Sequence, residues 1–162
     1  MWGYGNCFGT PSQPKGGSPM HYHKTFSETF TAVEGTLGLK LKSGERRLQP
    51  GESYTVKPFE VHGFFNPSAS ESIRFSIRLA PGHSGFENAL RIMYGLAQDG
   101  LTDKNGIPKD LGVAFWLGEL NDSHVDMLAF KVLSPLGKFL AKKVKNPGKI
   151  RSCSTGTVDK VL

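Results

Sequence analysis

Two stretches of strict alternation constrain the fold of this chain more than anything else in it. Leu37, Leu39 and Leu41 alternate with Gly38, Lys40 and Lys42, and Ile73, Phe75, Ile77 and Leu79 alternate with Arg74, Ser76 and Arg78. A period of two places every second side chain on one face, which is the pattern of a strand with one buried and one solvated side. Breaks at Glu34-Gly35, Ser43-Gly44, Pro50-Gly51 and Asn66-Pro67 punctuate the runs. Short strands separated by regular turn signals predict a sandwich or small barrel. A total of 162 residues suffices for one such domain with modest appendages.

Beyond Pro81-Gly82 the period changes. Phe86, Leu90, Met93 and Ala97 recur at helical steps, and a second helix is expected from about Leu111 to Leu120, weakened by Gly112 and Gly118. A third is expected from Ser123, where Asp126 completes a capping-box-like pair. Pro135 to Lys145 places Leu136, Phe139, Leu140 and Val144 on one stripe beside Lys138, Lys142, Lys143 and Lys145. Packing of this stripe on the barrel or a second subunit is the expectation, with peripheral contact to an anionic membrane as the alternative. The resulting division is a β-barrel with a short N-terminal arm over 1–82, a helical extension over 83–145 and a flexible basic tail over 146–162.

The net charge of +6 is concentrated at the end of the chain. From Lys131 onward there are eight basic residues against Asp159 alone, while twelve basic and thirteen acidic residues occupy the rest. This is not the basic face of a nucleic-acid-binding domain, and no nucleic-acid partner is expected. No apolar run reaches the roughly 18 residues of a membrane-spanning helix. Met1 to Phe8 lacks a basic region followed by an apolar one, so a cytoplasmic location is the default. Cys7 and Cys153 lack metal-ligand spacing and read as free thiols.

The chemistry-bearing residues lie in the β region. His21 and His23 are two apart, so on a strand both imidazoles share a face. Glu28 follows five residues later, and His62 arrives on a separate strand. Three imidazoles and one carboxylate suit a divalent transition metal: manganese, iron, cobalt, nickel, copper or zinc. His83 and His124 are isolated and are expected to be structural or solvated.

These residues resemble the two motifs of the cupin superfamily. Gly17-Ser18-Pro19-Met20-His21-Tyr22-His23, Glu28 and Gly35 are similar to the first; Gly51 through His62, with Asn66, is similar to the second. Pro58 is displaced by one position, and Phe59 stands where a turn glycine is expected. Because Phe tolerates positive φ poorly, the turn before His62 is expected to differ locally. The resemblance implies a mainly β double-stranded β-helix, or jelly-roll barrel, followed by C-terminal α-helices. It also implies that His21, His23, Glu28 and His62 converge as metal ligands in the barrel mouth. Tyr22, Phe30 and Phe64 are expected near the metal as a substrate pocket, with Asn66 supporting the strand of His62.

The function expected is a metal-dependent enzyme acting on a small organic substrate, with Glu28 as labile ligand or proton acceptor, and the family resemblance points first to a dioxygenase. A non-catalytic small-molecule-binding module and a metal-dependent isomerase or lyase are the alternatives. Met1 to Pro19 offers little β pattern, so either the barrel lacks an edge strand or a partner supplies one, and an open edge invites pairing in a homodimer.

Overall fold

The structure, a computed structural model, describes residues 14–103 and 106–125 and the backbone of residues 5–8. Two antiparallel sheets face one another. One has the strand order β1-β8-β3-β6, formed by β1 (Gly5–Phe8), β3 (Ser27–Glu34), β6 (Ser53–Val56) and β8 (Arg74–Ala80). The other runs β5-β4-β7-β2-β9, formed by β2 (His21–Tyr22), β4 (Leu37–Leu41), β5 (Gly44–Leu48), β7 (His62–Phe65) and β9 (His124–Val125). The mainly β expectation and both alternating runs are borne out. Leu37, Leu39, Ile73, Phe75, Ile77 and Leu79 are all buried, and with Phe26, Phe30, Ala32, Leu48 and Val56 they fill the space between the sheets.

Gly38 belongs to the outward set of its strand, yet it is buried too. A Cβ there would lie 2.4 Å from the Phe65 ring, so the absent side chain makes room for that ring over β4.

The N-terminal arm supplies the strand that the sequence lacked by pattern. β1 pairs with β8 in the register Gly5↔Leu79 to Phe8↔Ser76, so the missing edge is filled from within the chain. Further along, Gly17 bridges Phe65, and Ser18 N–H donates to the Phe64 carbonyl at 2.9 Å, lashing the segment before β2 to β7.

Among the described residues two helices follow the barrel, α1 (Ser84–Gln98) and α2 (Leu111–Leu120), at the expected positions. His83 is the N-cap of α1: its Nδ1 accepts from Phe86 N–H at 3.0 Å, satisfying a donor that the helix itself cannot. Phe86 and Ala89 are buried, and Phe86 joins the core between the sheets. Asp110 caps α2 through Val113 N–H. A Cβ on Gly85 would meet the Leu120 carbonyl at 2.1 Å, so the start of α1 and the end of α2 approach through a glycine.

The third helix does not begin at Ser123. His124 and Val125 are instead strand β9, paired with β2 in the register Tyr22↔His124 and His21↔Val125. Two residues carry no readable period, and the ladder with β2 outweighs any capping signal. The rest of that expected helix, the basic amphipathic segment and the tail lie outside the described residues.

The turn before His62 also departs from expectation. Phe59 itself adopts φ 66°, the left-handed conformation, instead of the turn changing shape around it. Its N–H donates to the His23 carbonyl at 2.7 Å, and its exposed ring stacks on Tyr22 with centroids 6.3 Å apart. These contacts hold a bulky residue where glycine would be unstrained.

Candidate metal centre

His21, His23, Glu28 and His62 come together, as the resemblance to the cupin motifs implies. One ligand atom from each lies within 4.8 Å of all the others. β2 pairs with β7 so that His21 stands directly across from His62. Glu28 rises from the facing sheet, on the inward side of β3 together with Phe30 and Ala32. The hydrophobic alternation of β3 therefore delivers one carboxylate into the core at the point where the opposite sheet delivers imidazoles.

The hydrogen bonds of the rings fix their protonation. Nδ1 of His21 lies 2.8 Å from the Pro19 carbonyl, Nδ1 of His62 2.9 Å from that of Glu60, and Nδ1 of His23 3.0 Å from that of Asp122. A carbonyl only accepts, so all three rings carry their proton on Nδ1 and donate it outward. Each neutral ring then presents an Nε2 lone pair to the cluster. Nε2 of His62 is 2.9 Å and Nε2 of His23 3.3 Å from the same oxygen of Glu28. Lone pairs facing a carboxylate repel unless an electrophile stands between them.

In the metal-free protein a proton shared between His62 Nε2 and Glu28 Oε2, 2.9 Å apart, can take that place. Burial opposes protonation of His62, but the Glu28 carboxylate and the Glu60 carbonyl outweigh it and raise its pKa above the usual 6.5. Burial likewise works to raise Glu28, yet the imidazoles of His23 and His62 close beside it prevail and hold its carboxyl at about 2 against an ordinary 4.5. His21 goes the other way: burial first, then the charges of His62 and His23, push it from 6.5 to about 4. One proton cannot serve three imidazoles, and Nε2 of His23 is buried without a hydrogen-bond partner among the described residues. Such an orphaned acceptor costs free energy that a cation would recover.

The donor set also fits a metal sterically. Ligands at about 2.1 Å from a transition metal stand roughly 3 to 4.2 Å from one another, so a spread reaching 4.8 Å needs only a small contraction. Outward Nδ1–H bonds of this kind orient ligating imidazoles and raise their basicity.

An acid-stability experiment follows from these shifts. The lowered Glu28 and His21 contribute stability to the metal-free protein that is present above their unfolded values, 4.5 and 6.5, and is lost as pH falls toward about 2 and about 4. His62, with its raised pKa, contributes in the opposite sense, below 6.5. Thermal melts in chelator from pH 6.5 down to pH 3 should therefore show a falling Tm, and Glu28→Gln should flatten the part below pH 4.5. A Tm that rises on acidification would overturn this electrostatic picture.

The aromatic expectations divide. Phe30 is buried, its ring 5.8 Å from that of His62, and half-buried Phe64 lies 6.3 Å beyond it. Tyr22 does not face the cluster. Alternation along β2 turns it away from His21 and His23, and it stacks against Phe59 and, at 5.2 Å, against His124 on the other side of the sheet. Asn66 is buried and organises the loop after β7, accepting from Ser68 N–H and donating to the Glu71 carbonyl.

Two residues around the cluster escaped the sequence reading. Phe26, 1% exposed, stacks on His23 with centroids 4.4 Å apart and an interplanar angle of 27°. Asp122 provides the carbonyl that receives the His23 proton. A phenylalanine three residues after a histidine carries no special signal, and a main-chain acceptor from the far side of α2 carries none at all.

Residues 12–82 match the family model described as "Cupin domain". The chain carries a cupin domain. Over 105 residues it is 34% identical to the "Probable oxidoreductase patJ" of Aspergillus clavatus, covering 60% of this chain and 32% of the relative. The protein of the same name from Penicillium expansum is 32% identical over 105 residues, covering 60% and 31%. The chain thus spans about a third of the length of these relatives. Among solved structures, a sugar phosphate isomerase of the cupin superfamily from Silicibacter pomeroyi is 24% identical and covers 49% of this chain and 52% of its own, with a TM-score of 0.44. In this cupin domain the three histidines and the one glutamate form a cluster of the metal-binding kind.

Proposed function

We propose that the protein is a divalent-metal-dependent enzyme acting on a small organic substrate, and that its chemistry is oxidoreductive, of the dioxygenase type. The observation that carries the reading is the convergence of three imidazoles and one buried carboxylate, with the Nε2 atoms of His23 and His62 beside that carboxylate. The names of the two fungal relatives, each a probable oxidoreductase, favour redox chemistry over other uses of such a cluster. Manganese, iron, cobalt, nickel, copper and zinc all suit these donors.

A six-coordinate metal held by four protein atoms would supply two positions for substrate, water or dioxygen, and with them Lewis-acid or redox chemistry. The chain's own residues set the rest. His21 is half-buried, whereas His23, Glu28 and His62 are buried, so access to the cluster is from the His21 side. Phe30 makes an apolar wall beside His62, which suits an apolar or aromatic substrate. Glu28 is the single carboxylate of the cluster, so it is the group of the cluster able to take a proton from a substrate.

Elemental analysis of the purified protein, combined with dioxygen uptake in the presence of small apolar or aromatic compounds, tests the proposal. A redox metal at near-stoichiometric content and substrate-dependent uptake are expected. Glu28→Gln preserves volume but removes the anionic oxygen; it should retain the far-ultraviolet circular dichroism of the parent while losing most of that uptake. Zinc alone, with no uptake after iron loading, would replace the dioxygenase reading with an isomerase, lyase or binding role. Absence of any metal, and of uptake of added metal, would end the metal-centre reading.

A further inference from the structure

We propose that Asp122, in the turn between α2 and β9 and outside the cupin domain, is the positioning residue for His23, holding that imidazole as the Nδ1–H tautomer with Nε2 aimed at Glu28. The proposal rests on the reading of the cluster as a metal centre and assigns part of its assembly to the C-terminal extension.

The three imidazole anchors are not equivalent. His21 and His62 each donate to a carbonyl two residues earlier in the chain, so their acceptors travel with them on the same segment. The acceptor for His23 is 99 residues away in sequence. A remote acceptor orients a ring only if something holds the remote segment in place, and the side chain of the same residue does so. Asp122 Oδ2 accepts from Lys24 N–H at 2.7 Å, Thr25 N–H at 2.9 Å and Thr25 Oγ1–H at 2.8 Å, the two residues that directly follow His23. Its Oδ1 lies 2.9 Å from His124 Nε2 on β9.

One residue therefore grips the chain leaving His23 with its carboxylate and the ring of His23 with its carbonyl. Asp122 does so from φ 52°, a left-handed conformation that aspartate adopts more readily than most residues. Phe26 completes the constraint. Stacked on the face of His23, it leaves the imidazole free only to slide or turn within its own plane, and the Nδ1–H bond to Asp122 stops that motion. The direction of Nε2 is then determined. Outer partners of this kind are worth about 10- to 100-fold in metal affinity.

The test uses the full chain and two readouts: cobalt(II) affinity from the visible absorbance of a titration, and long-range proton–nitrogen NMR of the imidazoles in the metal-free protein. Asp122→Gly removes the clamp while relieving the backbone, so strain is not the cause of any effect. It should lower cobalt affinity by about 10- to 100-fold and turn His23 into a mixture of tautomers, with His21 and His62 still protonated on Nδ1. Asp122→Asn keeps an acceptor oxygen and a tolerance for positive φ, and should recover most of both signals. Thr25→Val deletes one of the three Oδ2 contacts and should produce a smaller loss, which keeps the test decisive where Asp122→Gly fails to fold. A His23 ring that stays on its Nδ1–H tautomer with undiminished cobalt affinity in these variants would overturn the proposal. A parent protein that takes up no cobalt would instead sink the metal-centre reading, while the NMR of the same samples still decides whether Asp122 sets the tautomer.

Discussion

His62→Ala should empty the metal centre, while His83→Ala should leave it full. His62 is completely buried, stands across the sheet from His21 and lies 2.9 Å from Glu28, so its loss deletes a ligand and leaves a polar cavity among the survivors. The fall in affinity should exceed the about 10- to 100-fold that loss of an outer partner costs. His83 spends its Nδ1 on the first turn of α1 instead. Its replacement should cost about 1 kcal/mol of stability as a lost cap and nothing in metal content. Metal per chain, measured by emission spectrometry on matched preparations, separates the two. Equal occupancy would remove His62 from the ligand set.

Phe26→Ala should be the most destabilising of the substitutions considered, by about 3 to 5 kcal/mol. The ring is 1% exposed and meets His23 on its face, Phe86 at 5.7 Å and His83 at 5.0 Å. It thus joins the barrel core, the cap of α1 and a ligand of the cluster. Removing it opens a cavity and frees the face of the His23 imidazole. Urea unfolding in chelator reads the first effect, and cobalt affinity under native conditions reads the second. Phe59→Ala is the control, because that ring is 65% exposed and alanine inherits the same backbone conformation; it should cost less than about 1 kcal/mol. Comparable losses at the two positions would mean that Phe26 does not bridge core and site.

What could be read from the sequence follows from how each element is stabilised. β4 and β8 bury alternate side chains, so Leu37, Leu39, Phe75, Ile77 and Leu79 announce them. α1 announces itself through Phe86 and Leu90 in the same way. The four clustered residues were legible because they stand in two motifs that resemble those of the cupins, and a His-x-His pair on a strand has only one face to share. β1 and β9 were not legible, since their existence is a matter of backbone pairing with β8 and β2 and not of side-chain pattern. The anchors of the imidazoles at Pro19, Glu60 and Asp122 are carbonyl oxygens, which every residue has and none advertises. Tyr22 was misplaced for a different reason. The family resemblance suggested a place near the metal, whereas the pleat sends Tyr22 to the face opposite His21 and His23.

The place of β2 between β7 and β9 bears on the order in which the molecule is made. Its two residues are made well before the strand on one side of it and the anchor of His23, which arrive only with residues 122–125. Closing a loop of 99 residues carries an entropic cost that nearer pairings, such as the hairpin of β4 and β5, do not bear. Contacts of such long range tend to form late and slowly. The histidine segment should therefore wait, docked on β7 alone, until α2 has been made and has brought its last turn home. A nascent chain stopped before residue 122 would hold every side chain of the cluster and still lack the means to aim one of them.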